Sequence, residues 1–153
     1  TVFLQPLSAR GSWSGVNPLT APPDTRPFTS GPIAALTRAS VRPRFARSFW
    51  QLVPEISARI GADPNVLFKI GIGEVPFLHQ ITFSIWPDAA TMAAFAHQMG
   101  PHAKAMQAAR DGGWFSEELY ARFQVLGTDG AWGGADPLAP ALDLAAQGRR
   151  NAA

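Results

Sequence analysis

A sequence pattern near the N-terminus of the chain recurs near its C-terminus without a gap. Residues 4–19 and residues 123–138 both follow Q-x-L-x3-G-x-W-x-G-x-[ND]-P-L. A tryptophan between glycines, followed by a proline, predicts a strand that leaves its sheet, turns, folds the indole back and stops. The repeat therefore predicts the last strand of an earlier, missing unit, followed by one complete unit. The recurring residues are Gln5/Gln124, Leu7/Leu126, Gly11/Gly130, Trp13/Trp132, Gly15/Gly134, Pro18/Pro137 and Leu19/Leu138.

Prolines, glycines and apolar periodicity divide the chain into four segments. Residues 1–15 are expected to be the closing strand and Gly-Trp-Gly tail of the upstream repeat. Residues 16–31 are rich in proline and without a period, which is typical of a linker. Residues 32–138 are expected to form one domain, and residues 139–153 a flexible C-terminal tail.

The domain has the element order β-α-β-β-α-β. Residues 32–41, 65–73 and 77–86 are predicted strands, and residues 44–61 carry an apolar stripe at helical spacing. Asp88 is placed to cap a second helix, Gly100-Pro101 to kink or split it, and residues 117–126 lead into the last strand. This order predicts an α+β fold with a ferredoxin-like unit of the dimeric α+β barrel type. Two helices would cover one sheet face, and a second unit or partner subunit the other.

Composition excludes several kinds of site. The 153-residue chain is 46% hydrophobic and 16% charged, which indicates a globular domain. It has no cysteine, so disulfides, thiolate metal sites and cysteine nucleophiles are excluded. A net charge of only +2 argues against nucleic acid binding. Four arginines, Arg38, Arg42, Arg44 and Arg47, form either a solvated face or a patch for phosphate, an anionic membrane or an acidic partner.

Alternation along two predicted strands sorts their residues onto two faces. One set is expected to face an inner pocket, where its glycines leave room for a flat or long ligand or relieve crowding between sheets. The other set, which includes His79, Ile81, Phe83 and Ile85, is expected to lie under the helices. The pocket set consists of Lys69, Gly71, Gly73, Gln80, Thr82, Ser84 and Trp86.

Several long motifs resemble those of the spheroidene monooxygenase family. They are the stretches Phe68–Phe77 (FKIGIGEVPF), Gln80–Asp88 (QITFSIWPD) and Trp114–Phe123 (WFSEELYARF), and they occur in the family's order. The resemblance runs to about Leu138 and covers the C-terminal portion of a family whose members are longer at the N-terminus. It implies oxygenation of an acyclic carotenoid at C2, with keto or hydroxyl introduction, in anoxygenic phototrophic bacteria.

The resemblance also implies a haem cofactor and candidate residues for it. His102 matches a histidine that the family places before its W-F-x-E-E-L motif, which makes it the candidate iron ligand and catalytic residue. The alternative is a hydrogen-bonded core histidine on an apolar stripe. Arg122 could hold a haem propionate or pair with Glu117 or Glu118. Lys69 is the second candidate for contact with the cofactor.

Two functions remain open at this stage. The chain is either part of a carotenoid oxygenase or a non-catalytic relative acting as an accessory subunit of a photosynthetic membrane complex. The expected partners are a carotenoid and the missing repeat or a partner subunit. The expected location is the cytoplasm, peripheral to the photosynthetic intracytoplasmic membrane. The sequence contains no run of about 18 uncharged apolar residues, so it does not predict a membrane-spanning helix.

Overall fold

The computed structural model of the chain describes residues 1–19, 30–75, 77–98 and 107–139. Within these ranges five strands form one antiparallel sheet in the order β1-β5-β2-β4-β3. No helix of the described residues is long and apolar enough to cross a membrane. The elements are β1 (Val2–Gly11), β2 (Ile33–Val41), α1 (Ala46–Ala62), β3 (Phe68–Val75), β4 (His79–Trp86), α2 (Ala89–Gln98) and β5 (Phe115–Thr128).

The last four strands have the ferredoxin-like arrangement. Counted within one unit, β2, β3, β4 and β5 are its first, second, third and fourth strands. The sheet order β5-β2-β4-β3 is then fourth, first, third, second, as in ferredoxin-like folds. The predicted α+β, ferredoxin-like fold is thereby confirmed. β1 adds a fifth strand that pairs antiparallel with β5. A single 3-10 turn precedes α1, and the Asp88 carboxylate accepts the amide of Thr91 at 2.7 Å, as expected of a helix cap.

Both helices pack on one sheet face, and it is the face opposite to the expected one. Phe49 and Val53 of α1 pack with Ala39 and Val41, while Met92 and Phe95 of α2 pack with Ile33 and Trp86. The register pairs Thr37 with Thr82, and Thr82 with Gly71. Hence the Gln80–Trp86 set lies under the helices, and Ile81, Phe83 and Ile85 lie on the other face. Alternation shows which residues share a face, but both faces here carry large apolar residues.

The face without helices is nevertheless buried at one end. Ile85 and Ala34 are fully buried there, and Leu138, which follows β5, packs on them. Leu19, which follows β1, packs on the same cluster. The two proline-stopped ends of the repeated pattern thus supply part of the cover that helices supply on the other face.

A charged cluster occupies the other end of that face. Arg38 is 2% exposed, and its guanidinium donates to Glu74 Oε2 and to Glu117 Oε2, each at 2.8 Å. It also donates to Ser40 Oγ at 3.2 Å. Arg38 is therefore buried rather than part of a solvated arginine face, whereas Arg42 and Arg44 are exposed.

The two copies of the repeated pattern adopt the same local conformation. Trp13 and Val16 exchange backbone hydrogen bonds across a two-residue turn, and Trp132 and Ala135 do the same. Both central residues of each turn have positive φ, namely 53° and 81° for Ser14 and Gly15, and 61° and 87° for Gly133 and Gly134. That geometry matches the twist of paired strands and favours glycine. A common origin by duplication stays a prediction.

Candidate functional site

Two adjoining cavities lie between the sheet and the helices. The α1 cavity has a volume of about 300 Å³ and the α2 cavity one of about 490 Å³. Thr37 and Tyr120 line both, so together the cavities cross the sheet from β3 to β1. Five strands at the usual spacing span about 19 Å. The arrangement suits a long, narrow ligand better than a compact one.

Four of the predicted pocket residues line the α1 cavity. They are Lys69 and Gly71 from β3 and Gln80 and Thr82 from β4. Gly71 pairs with Thr82 in the β3–β4 register, which brings these side chains together beneath Phe49 and Val53 of α1. A side chain at Gly71 would first meet the Gln80 amide at 3.5 Å, so glycine leaves room in the cavity there.

The other predicted pocket residues lie elsewhere. Gly73 is exposed near the end of β3 and does not line either cavity. Ser84 and Trp86 are buried in the core beneath α2, where the Trp86 indole donates to Ser84 Oγ at 3.0 Å. Arg122, the predicted partner of a haem propionate, lines the α2 cavity.

Arg122 pairs with neither of the carboxylates proposed for it, because each of them binds another arginine. Glu117 lies on the face without helices and binds Arg38, while Glu118 binds Arg110 on the helical face. His102, with the predicted Gly100-Pro101 break, lies outside the described residues, as do residues 20–29 of the linker and 140–153 of the tail.

A polar triad in the α1 cavity was not predicted. Arg110 Nε donates to Glu118 Oε1 and to the Tyr120 hydroxyl, each at 3.0 Å, and the Tyr120 hydroxyl donates to Glu118. Burial, reinforced by the Glu118 carboxylate, raises the pKa of Tyr120 to about 12. The phenol therefore stays protonated at neutral pH. Alternation in β5 places residues 118, 120 and 122 on one face, the one that the helices cover, but it gives no indication of Arg110.

One cavity residue has an unused polar atom. Gln80 Oε1 is buried and, among the described residues, has no hydrogen-bond donor. A buried acceptor without a partner is costly, so a ligand hydroxyl or an ordered water there would be favoured. The α1 cavity thus combines apolar walls with an acceptor at Gln80 and a neutral phenol at Tyr120.

The α2 cavity is positively charged at its β1 side. Arg10 and Arg122 both line it, and no acidic residue does so within the described part of the chain. The Arg10 guanidinium lies over the Tyr120 ring, 5.1 Å from its centroid. The remaining walls are mostly small and apolar, with Ala9, Ala35, Ala93 and Ala96.

These residues fit a haem only in part. Arg10 and Arg122 match the carboxylates of the propionates. The described lining contains no histidine, and His79 lies on the opposite sheet face, where its Nδ1 is 3.3 Å from Glu74 Oε2. A histidine ligand to the iron from this chain would therefore be His97 or His102, whose side chains are not described.

Two solved structures share the fold. A Fusobacterium nucleatum protein called a monooxygenase superposes with a TM-score of 0.55 at 13% identity, over 82% of this chain and 50% of that one. A mutant of SnoaB, a cofactor-independent oxygenase from Streptomyces nogalater, gives 0.52 at 17% identity, over 65% of this chain and 97% of that one. At these identities the likeness shows the fold alone. No protein-family model matches the chain.

Curated sequences give a much stronger match. The spheroidene monooxygenase of Rhodobacter capsulatus is 59% identical over 138 residues, which are 90% of this chain and 57% of that protein. Its namesake in Cereibacter sphaeroides is 54% identical over 144 residues, 93% of this chain and 44% of that protein. The one from Rubrivivax gelatinosus is 41% identical over 133 residues, 87% of this chain and 50% of that protein. Thus the chain spans about half the length of these relatives, and over that span its sequence matches members of the spheroidene monooxygenase family.

Proposed function

We propose that this chain forms the carotenoid-binding part of a spheroidene-monooxygenase-type oxygenase. The observation that carries the proposal is 59% identity over 138 residues, combined with paired cavities that cross the sheet beneath both helices. A carotenoid is a long, apolar rod, and most of the lining is apolar. The proposed reaction is oxygenation at C2 of an acyclic carotenoid, in a protein peripheral to the photosynthetic membrane.

The chain's own residues would hold and orient the carotenoid end. The alanines of the α2 cavity would give a smooth apolar wall, while Gln80 and Tyr120 would lie close to polar atoms of a substrate or product. Hydroxylation inserts one oxygen atom of dioxygen into a C–H bond at C2. The second oxygen atom leaves as water, with two electrons and two protons from an external reductant. A new hydroxyl at C2 would donate to the buried Gln80 Oε1, while the Tyr120 hydroxyl stays bound to Glu118 and Arg110.

Filling the α1 cavity is expected to reduce carotenoid oxygenation. In Gly71→Leu the new side chain would occupy space next to Gln80 and compete with the substrate. We expect product formation to fall by roughly tenfold or more, as for loss of a well-fitted apolar contact in the transition state. The measurement is chromatographic analysis of pigments in cells that accumulate spheroidene and express the Rhodobacter capsulatus relative in which this chain replaces the matched part.

Gly73→Leu is the matched control for that experiment. Gly73 lies two residues further along β3 on the same face, but a side chain there would meet nothing within 4 Å and would not enter the cavity. It is expected to leave oxygenation near the wild-type level. Equal activity of the two leucine variants would show that the α1 cavity does not hold the substrate.

A haem bound by His102 is the second part of the proposal. When bound, the haem would supply the activation of dioxygen, while Arg10 and Arg122 would hold its propionates. Haem titration of the purified protein should give a Soret band that His102→Ala abolishes. Arg122→Ala should weaken haem binding by roughly tenfold without abolishing it.

His79→Ala is the control for haem binding. His79 lies on the sheet face away from both cavities, so its loss should leave the Soret band unchanged. Absence of the band in this chain and in the relative that carries this chain as its matched part would contradict the haem assignment. Persistence of the band in His102→Ala would contradict the assignment of the ligand.

A further inference from the structure

The two Trp-containing turns have the same backbone but different surroundings. The first turn, residues 13–16, is held by the rest of the domain. The second turn, residues 132–135, is largely open, and Trp132 is 60% exposed. This difference between two equivalent elements points to a contact surface.

The first turn binds a carboxylate and a guanidinium. Glu117 accepts the amides of Ser14 at 3.1 Å and Gly15 at 2.8 Å, and the Ser12 hydroxyl at 2.9 Å. Arg38 donates to the same carboxylate, and its guanidinium lies over the Trp13 ring, 4.8 Å from the centroid. The positive φ values of the turn direct two successive amides to one anion, as in other backbone anion sites.

The second turn lacks both partners within the described residues. The amides of Gly133 and Gly134 meet no carboxylate there, and no arginine of the described ranges lies over Trp132. The Trp132 ring makes one edge contact, with Phe68 at 5.7 Å between centroids. Two aligned amide donors and an exposed indole are thus presented together.

Strand pairing shows where the missing partners would lie. β1 and β5 run antiparallel, and Gln5 pairs with Gln124, which is its own equivalent in the repeated pattern. A two-fold axis through this pair exchanges β1 with β5 and Trp13 with Trp132. The same rotation applied to Arg38 and Glu117 places an equivalent arginine and glutamate of another unit at Trp132. It also places that unit's equivalent of β2 along the outer edge of β1.

The outer edge of β1 accommodates such a strand despite Pro6. Val125, the equivalent of Pro6, donates its amide to Pro32 O at 3.0 Å, on the side of β5 away from β1. Pro6 would therefore lose only this one hydrogen bond to the added strand. Proline at an edge position is tolerated for the same reason.

We propose that the turn 132–135 and the outer edge of β1 bind a second unit of the same fold. That unit contributes a glutamate to the amides of Gly133 and Gly134 and an arginine to the face of Trp132. Its source is the part of the full-length family protein that this chain does not match, since the match covers 57% of the Rhodobacter capsulatus relative. This docking does not depend on carotenoid or haem binding.

The test compares this chain alone with the full-length relative in which this chain replaces the matched part. Hydrogen exchange at Gly133 and Gly134 should slow by roughly tenfold or more in the full-length protein, because both amides gain an acceptor. Trp132→Ala should destabilise the full-length protein more than the isolated chain. Comparing the two contexts cancels the contact with Phe68, which both contain.

Phe77→Ala is the matched control variant. Phe77 is 68% exposed but lies in the turn between β3 and β4, at the far edge of the sheet, so its loss should cost the same in both contexts. Trp132→Phe, which keeps an aromatic face, should recover most of the stability that the full-length protein loses in Trp132→Ala. Equal exchange rates or equal costs of Trp132→Ala in the two contexts would overturn the proposal. Concentration-dependent protection in the isolated chain would overturn it in favour of a second copy.

Discussion

Replacing Arg38 by alanine is expected to destabilise the chain by about 3 kcal/mol, near the lower end of the range for breaking a buried ion pair. Arg38 is 2% exposed and binds Glu74 and Glu117, whose side chains are 35% and 17% exposed. Its removal leaves two carboxylates close together without their cation, and removes the guanidinium from the Trp13 ring. Urea unfolding of the wild type and the variant at neutral pH measures the difference.

Arg44→Ala is the control for this prediction. The Arg44 guanidinium also lies over an aromatic ring, that of Phe45 at 4.8 Å, but the residue is exposed. Its loss should cost about 0.5 kcal/mol. A cost for Arg38→Ala no greater than that of Arg44→Ala would show that the buried pairs contribute nothing to stability.

The cost of Arg38→Ala should also depend on pH. The Gly15 amide, the Ser12 hydroxyl and Arg38 lower the pKa of Glu117 to about 2 from its ordinary 4.5, against the opposing effect of desolvation. A carboxyl group whose pKa is lower in the folded state stabilises the fold at pH values above its pKa in the unfolded state. This stabilisation is lost as the pH falls through the pKa of the folded state. The difference in the free energy of unfolding between wild type and variant should therefore become smaller as the pH falls from about 5 to about 2.

Gly11→Ala is expected to cost about 2–4 kcal/mol, the second large effect. A Cβ at Gly11 would lie 2.0 Å from the carbonyl oxygen of Glu118 on the paired strand. Neither group can yield without separating β1 from β5, because both belong to the backbone. The positive φ of 98° adds the usual strain of a non-glycine residue. Thermal and urea unfolding provide the measurement.

Gly130→Ala separates the clash from the strain. Gly130 is the repeat equivalent of Gly11 and has a φ of 84°, but a Cβ there would meet nothing within 4 Å. The Gly130→Ala variant should lose only about 1 kcal/mol of unfolding free energy, the contribution of the backbone conformation. If the two alanine variants were equally stable, close packing of the strands at Gly11 would be the wrong explanation for its glycine.

Much of the fold could be predicted from local patterns. The strand at residues 32–41 and the helix at 44–61 occur as β2 and α1 with small shifts, since apolar period and glycine or proline stops are local signals. The grouping of Lys69, Gly71, Gln80 and Thr82 also followed from alternation alone. The triad of Arg110, Glu118 and Tyr120 could not be found this way, because its three members come from two elements that the fold brings together.

The sequence by itself determined the element order, the family and the equivalence of the two Trp-containing turns. All three follow from the local spacing of residues and from matching residues. Only the tertiary structure decided which face of the sheet the helices cover, because both faces carry apolar side chains and alternation is symmetric between them. Only it showed, too, that Arg38 lies over Trp13 and that Glu117 binds the amides of the first turn, while Trp132 is exposed. The same local pattern occurs in both turns, and the difference lies in residues distant in sequence that pack against one of them.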